Sequence, residues 1–151
     1  MLRRTPCIGI CSTTYGDLVC RGCKRFAHEI VGWNGYERTQ RDAVWARLLA
    51  LRAGATAHCV TVVDQDRLAA MTPAPGFGEP FDTDPHLRAH EGLRRLAGEA
   101  PALAEALARL GLVLRDGIRA ATLEALLREI GQELFRRSVA QYERNYRTPA
   151  L

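Results

Sequence analysis

This chain of 151 residues lacks several features that identify common classes of protein. No uninterrupted apolar run approaches the ~20 residues that a membrane-spanning helix requires. The basic start, "MLRRTPCIGIC", contains no apolar stretch of the roughly 7–15 residues that form the core of a secretory signal. We therefore expect a cytoplasmic protein with no membrane partner, in a reducing compartment where disulfides rarely persist.

Motifs of the common enzyme classes are also missing. Lysine occurs once, at Lys24, and the "GFG" at 76–78 is not followed by the lysine of a phosphate-binding loop. No Ser-His-Asp arrangement can be assigned from the sequence. We expect a protein that is not an enzyme.

The composition is otherwise that of a globular protein, with 47% hydrophobic and 25% charged residues. The formal net charge of +4 is unevenly distributed. Residues 1–71 hold ten Arg or Lys and six Asp or Glu, whereas residues 72–151 hold eleven of each. The whole excess of positive charge therefore lies in the N-terminal half.

Cysteine is rare except in one place, the stretch "PCIGICSTTYGDLVCRGC" at residues 6–23. It forms two close pairs separated by a loop, Cys7-x3-Cys11-x8-Cys20-x2-Cys23. Each pair can occupy one tight turn, with its sulfurs directed at a common point. Gly9 and Gly22 lie inside these turns, where amide N–H groups must point at thiolates. The spacing predicts a metal site with four ligands: Cys7, Cys11, Cys20 and Cys23.

The metal is less well defined than the ligands. Both Zn²⁺ and iron–sulfur clusters accept four cysteines, and the spacing matches neither common ferredoxin pattern, so the spacing alone favours structural zinc. Four thiolates around Zn²⁺ would leave a charge of −2, which Arg21, Lys24 and Arg25 could offset. Two disulfides or a redox "CRGC" are the alternatives. A reducing compartment disfavours the first, and the second leaves Cys7 and Cys11 unexplained.

The cysteine segment and the residues after it resemble a known family, the small bacterial proteins grouped as domain of unknown function 1289. Members are often labelled predicted iron–sulfur proteins. The matching residues cover about the first 50 positions: Pro6, Cys7, Ile8, Gly9, Cys11, Cys20, Gly22, Cys23, Arg25, Glu29, Ile30 and Trp33. The resemblance implies a shared four-cysteine metal centre but no biochemical activity, and it draws the choice of metal towards iron–sulfur. Phe26 stands where the family has Thr, so the short helix that follows lacks its hydroxyl cap, and Glu29 lacks its capping-box partner.

The sequence predicts a mainly α fold, in which a small four-cysteine metal-knuckle module is followed by helices, with a minor two-stranded β element as an option. Residues 1–54 form this N-terminal module, which includes a short helix near Ala27–Val31 and a second helix from about Glu37 to Ala53, ended by Gly54. Residues 55–71 form a connecting segment, which is either a strand paired with residues 110–116 or a continuation of the helix. Residues 72–84, rich in Pro and Gly, are expected to be a linker.

Residues 85–151 are predicted to be a helical region. A first helix has Asp84 as its cap and ends near Gly98, a second follows Pro101 and stops at Gly111, and a third spans about 121–144. The third carries an apolar face: Leu123, Leu126, Leu127, Ile130, Leu134 and Phe135. Such faces form an ordinary core or bind a protein partner.

Four other residues have side chains that could react or bind a metal. Cys59 follows His58, but neighbours on a strand point to opposite faces, so we expect Cys59 to be buried packing. His86 and His90 are four apart on a predicted helix and could share a metal, although a solvated helix face is the simpler interpretation. His28 lies near the cysteines, but four cysteines already complete a site.

The sequence is compatible with three functions. The first is a non-enzymatic metal-binding protein with structural zinc or an iron–sulfur cluster, and the second is an electron-transfer or redox-sensing iron–sulfur protein that uses the same cysteines. The third is nucleic-acid binding through one basic face around the metal site, formed by Arg3, Arg4, Arg21, Lys24, Arg25, Arg38 and Arg41. An excess of only +4 and few aromatic residues count against the third.

Overall fold

The computed structural model describes residues 5–146, which form six helices and two short strands. In chain order these are α1 Ala27–Gly32, α2 Arg38–Cys59, β1 Val60–Val62, α3 Gln65–Met71, α4 Pro85–Ala97, α5 Leu103–Leu110, β2 Leu112–Leu114 and α6 Leu123–Tyr146. The prediction of a mainly α fold with a minor β element is confirmed. None of the helices in residues 5–146 combines the length and apolar character needed to span a bilayer.

Helix α2 is longer than the sequence indicated, and the predicted end at Gly54 is wrong. A glycine inside a helix costs only about 1 kcal/mol relative to alanine. The turns beyond Gly54 bring Ala55, Thr56 and Cys59 into the core, each fully buried. Burial of this apolar surface outweighs the local preference of glycine, so the helix continues to Cys59.

Neither interpretation of residues 55–71 holds for the whole segment. The helix continues to Cys59, and β1 then pairs antiparallel with β2, with Val60 opposite Leu114 and Val62 opposite Leu112. Two strands of three residues are not stable alone. They persist because Val60 and Leu112 are buried in the same core as the helices.

The three C-terminal helices follow the prediction closely. The Asp84 carboxylate accepts hydrogen bonds from the backbone N–H groups of His86 and Leu87, at 2.8 and 3.1 Å, and so caps α4. Helix α5 ends at Gly111, whose φ of 68° is left-handed. In α6, Leu123, Leu126, Ile130 and Leu134 are all buried.

The Pro/Gly-rich segment at residues 72–84 packs against the helices. Phe77 is 6% exposed, and its ring centroid lies 5.7 Å from that of Trp45 on α2. The Asp82 carboxylate holds the loop by accepting from the amides of Gly76, Phe77 and Gly78, at 2.9–3.0 Å. This stretch, expected to be a linker, therefore contributes to the core.

Gly92 of α4 lies in close contact with Thr72 and with Leu110 of α5. A Cβ atom there would lie 2.7 Å from Thr72 Cγ2 and 3.0 Å from Leu110 Cδ2, so G92A should lower the free energy of unfolding by about 1–3 kcal/mol through overpacking. Gly131 on α6 has nothing within 4 Å of its Cβ position, so G131A should raise it by about 0.5–1 kcal/mol. Urea unfolding measures both, and changes of the same sign would contradict this packing.

Cys59 ends α2 and is 0% exposed, which confirms the prediction of a buried packing residue. Burial, together with the negative charges of Glu129 and Glu133, raises the pKa of its thiol to about 11. The thiol is therefore protonated at neutral pH and unreactive.

We expect iodoacetamide at pH 8 to spare Cys59 in the folded protein, since both burial and a raised pKa suppress the thiolate. Peptide mass mapping of metal-free protein should show exposed Cys7 labelled first, and all five cysteines labelled only in denaturant. Labelling of Cys59 at the rate of Cys7 would show that this end of α2 opens.

Candidate metal centre

The second cysteine pair lies in a tight hairpin. Val19 and Phe26 form an antiparallel bridge, and the backbone N–H of Cys20 donates to the carbonyl of Arg25 at 2.9 Å. Residues 20–23, the second cysteine turn, close the hairpin between these contacts. Lys24 follows with a left-handed φ of 67°, which brings its N–H to the Cys20 carbonyl at 2.9 Å. This backbone fixes Cys20 and Cys23 side by side.

The first cysteine turn, residues 7–11, is built around Gly9. This glycine has a φ of 93°, a conformation that other residues rarely adopt, and its N–H donates to Cys7 Sγ at 3.3 Å. Cys11 precedes a short 3-10 helix, Ser12–Tyr15, and its Sγ shares a hydrogen bond of 2.9 Å with Thr13 Oγ1. The expectation that an amide in this turn points at a sulfur is confirmed for Gly9.

The two cysteine turns contact each other. The Cys20 thiol donates to the carbonyl of Ile10 at 3.5 Å, and the N–H of Arg21 donates to Ser12 Oγ at 2.8 Å. A Cβ atom on Gly22 would lie 2.6 Å from that same Ile10 oxygen. Only glycine therefore allows the turns to approach this closely.

The environment of Cys20 favours its thiolate. Burial acts to raise its pKa, but backbone N–H groups of Cys23, Ser12 and Gly22 donate towards the sulfur, with the Cys23 side chain, and lower the pKa to about 7. Two of these amides come from the second cysteine turn, and that of Ser12 comes from beside the first. Both turns thus supply donors to one sulfur.

The thiols of Cys11 and Cys23 differ from that of Cys20 in their surroundings. For Cys23, burial raises the pKa, although Arg25 Nε donates to its Sγ at 3.3 Å and opposes this effect. For Cys11, the Thr13 hydroxyl lowers the pKa. A charge on Cys20 would raise the pKa of both, so these three thiols are near enough to interact.

The four predicted ligands fit a metal in their chemistry, but they are not gathered into one group. Cys20 is buried, Cys11 and Cys23 are half-buried, and Cys7 is exposed. Across residues 5–146, no set of three or more Cys, His, Asp or Glu side chains is close enough to hold an ion. All five cysteines are free thiols, so none is engaged in a disulfide.

Three cations stand beside the cysteines, but they differ in what they contact. Arg25 bonds to Cys23 and lies 4.9 Å from the Trp33 ring centroid, measured from its guanidinium carbon. Lys24 Nζ donates to the carbonyls of Arg21 and Gly22, at 2.6 and 2.9 Å. The Arg21 guanidinium instead lies over a ring of α6, that of Phe135, at 4.8 Å.

Phe26, the departure from the family pattern, is 1% exposed and packs edge-on against Tyr142 and Tyr146 of α6. Half of the capping box survives without a hydroxyl, because the Phe26 N–H still donates to Glu29 Oε1 at 2.8 Å. The Glu29 carboxylate also pairs with Arg47 of α2, a contact that the sequence did not reveal. A buried aromatic side chain, that of Phe26, thus stands where the family has threonine.

The histidines lie elsewhere. His28 packs edge-on against the Tyr146 ring at 4.8 Å, and His58 Nε2 lies 3.9 Å from Glu133. His86 and His90 belong to no metal-binding group within residues 5–146, although His90 lines a cavity beside the cysteines.

Several basic residues that were expected to form a nucleic-acid face are buried or make contacts within the chain. Arg25 is 4% exposed, and the Arg41 guanidinium donates to the carbonyls of Trp33 and Asn34. Arg38 lies 3.9 Å from Asp42. Arg3 and Arg4 lie outside the described residues.

The sequence was compared with known proteins. No curated protein and no solved structure matches this chain. One family model matches, described as "Protein of unknown function (DUF1289)", over residues 5–52. This range contains both cysteine turns, α1 and most of α2, and it confirms the resemblance read from the cysteine motif. Residues 5–52 are thus similar to this family, and this segment carries the candidate metal centre.

Proposed function

We propose that this is a non-enzymatic metal-binding protein, in which Cys7, Cys11, Cys20 and Cys23 hold one zinc ion or one iron–sulfur cluster. The observation that carries the proposal is the contact between the two cysteine turns through Gly22 and Ile10. In the first turn Cys7 Sγ accepts the N–H of Gly9, and in the second turn backbone amides, that of Gly22 among them, lower the pKa of Cys20. Such amide donors stabilise thiolate ligands.

Metal binding would mainly stabilise the folded arrangement of the two cysteine turns. Four protein thiolates complete a tetrahedral zinc site, which leaves no position for a substrate. Because metal binds the folded arrangement of turns, its binding energy becomes folding energy. Lys24 and Arg25 supply positive charge beside the thiolates.

An iron–sulfur cluster on the same four cysteines would favour electron transfer or redox sensing. Cys7 is exposed, so a cluster held by it would lie close to solvent and to a redox partner. Protein purified without oxygen distinguishes the two cases. A brown sample with stoichiometric iron and sulfide indicates a cluster, and a colourless sample with one zinc indicates a structural site.

We expect C20S to lose the metal and to destabilise the N-terminal segment, while most helical circular dichroism remains. The reason is that a serine hydroxyl is not a ligand for either centre at neutral pH. C59S is the matched control, since Cys59 is equally buried but outside the motif. Elemental analysis gives the metal content, and a metal-to-protein ratio unchanged by C20S would refute the proposal.

A second variant tests the contact between the turns while keeping all four cysteines. G22A places a Cβ atom 2.6 Å from the Ile10 carbonyl oxygen, so it should push the turns apart and lower metal affinity at least about tenfold. G35A is the control, because nothing lies within 4 Å of that position. Competition with a chelator measures both affinities. Equal affinities would show that the contact does not support binding.

A further inference from the structure

A cavity of about 480 Å³ lies beside the first cysteine turn, between α2, α4 and α6. Cys7 and Gly22 form its edge on the side of the cysteines, and Phe77 of the 72–84 segment closes another side. Its volume falls within the range of about 300–1,000 Å³ that is usual for small-molecule sites. Some of the residues at its edge also serve the proposed metal function, but that function assigns no role to the space inside the cavity.

One part of the cavity wall is cationic. Lys24, Arg52 and Arg94 line it, and none of the described residues that line it is Asp or Glu. Lys24 Nζ donates to two carbonyls, so one of the three N–H bonds of its ammonium group remains for another acceptor. Three cations around one cavity favour an anionic ligand.

Another part of the wall is apolar, formed by Trp45, Phe77, Leu127 and Leu134. Trp45 is 4% exposed, yet its Nε1 donor is buried without a hydrogen-bond partner among residues 5–146. A buried donor without a partner is unfavourable, and such a group in a native fold calls for an explanation. A ligand with an acceptor atom would provide one.

His90 lines the same cavity as the three cations. Burial, followed by the positive charges of Arg52, Arg94 and Lys24, lowers the pKa of His90 to about 3. The imidazole is therefore neutral at physiological pH, and it can donate a hydrogen bond from one nitrogen and accept one at the other. Lys24, Arg52 on α2 and Arg94 on α4 thus all place positive charge near His90.

We infer that this cavity binds a small organic anion, whose carboxylate, phosphate or sulfonate group contacts Lys24, Arg52 and Arg94 and whose apolar body packs on Trp45 and Phe77. The cations would hold the charged end by charge-assisted hydrogen bonds. The apolar wall would exclude inorganic anions as preferred ligands, because these leave it unfilled. The inference goes beyond the metal centre and does not depend on it.

The experiment uses 1-naphthyl phosphate as the probe and the two tryptophan indole N–H signals of ¹⁵N-labelled protein as the readout. The chain has two tryptophans, so W45F assigns both signals. We expect a saturable shift of the Trp45 signal and little change at Trp33, which does not line the cavity. Inorganic phosphate should bind at least about tenfold more weakly, because it lacks the apolar body.

Two neighbouring arginines give a matched pair of variants. Arg94 and Arg95 both pair with Glu91, and their side chains are equally exposed, at 54%, but only Arg94 lines the cavity. R94Q should weaken probe binding about tenfold, as expected for loss of one charge-assisted hydrogen bond, and R95Q should leave it within about twofold.

Three results would overturn the inference: no shift at Trp45, equal losses in R94Q and R95Q, or phosphate binding as tightly as the probe. Metal content is measured on the same samples. Probe binding that survives in metal-free C20S protein supports the cavity independently of the metal. Metal retention together with an unshifted Trp45 signal would overturn the cavity and leave the metal proposal intact.

Discussion

A buried ion pair between Glu29 and Arg47 joins the cysteine segment to the helices. Glu29 is 4% exposed, and its carboxylate accepts from both terminal nitrogens of Arg47, with 2.6 Å between Oε1 and Nη2. The same carboxylate receives the Phe26 N–H, and the Arg47 guanidinium carbon lies 3.9 Å from the Phe26 ring centroid. Removing one partner of a buried pair leaves an uncompensated charge, at a cost of about 3–5 kcal/mol. Since α1 directly follows the hairpin, this pair fixes Cys20 and Cys23 relative to α2.

The two cysteine turns are supported very unequally. Val19, Cys20 and Phe26 of the hairpin are buried, so ordinary packing holds the second turn. In the first turn, Ile8 and Ile10 are 64% and 68% exposed, and its main contacts are hydrogen bonds and the approach to Gly22. A metal ligated by Cys7 and Cys11 would therefore stabilise the first turn most, because few packing contacts hold that turn.

Local sequence signals predicted the elements whose ends are determined locally. The Asp84 cap, Gly111 and the Gly9 turn each follow from a side chain or backbone requirement within a few residues. The prediction that α2 ends at Gly54 is wrong because burial of the residues beyond it outweighs the cost of about 1 kcal/mol of a glycine in a helix. The choice of the four cysteines as ligands also rests on a local property, their spacing, and it stays a prediction.

Long-range contacts were not predictable in the same way. Glu29 and Arg47 are separated by 18 residues, and the sequence around each residue does not indicate that the other is its partner. The cavity draws its wall from Lys24, Trp45, His90 and Arg94, whose proximity follows only from the packing of α2, α4 and α6. Apolar periodicity indicates that helices pack but not which polar residues meet between them.

Lys24 belongs to both regions, and its position follows from the backbone. Its left-handed φ turns the chain so that Nζ donates to carbonyls of the second cysteine turn, while the side chain lines the cavity. Burial lowers the pKa of this ammonium group, but the nearby sulfurs of Cys20 and Cys23 act to raise it. Thiolates in the turn would therefore favour the charged form of Lys24, which is also the form that an anion in the cavity requires. The chain's single lysine thus provides a direct electrostatic connection between the candidate metal centre and the cavity.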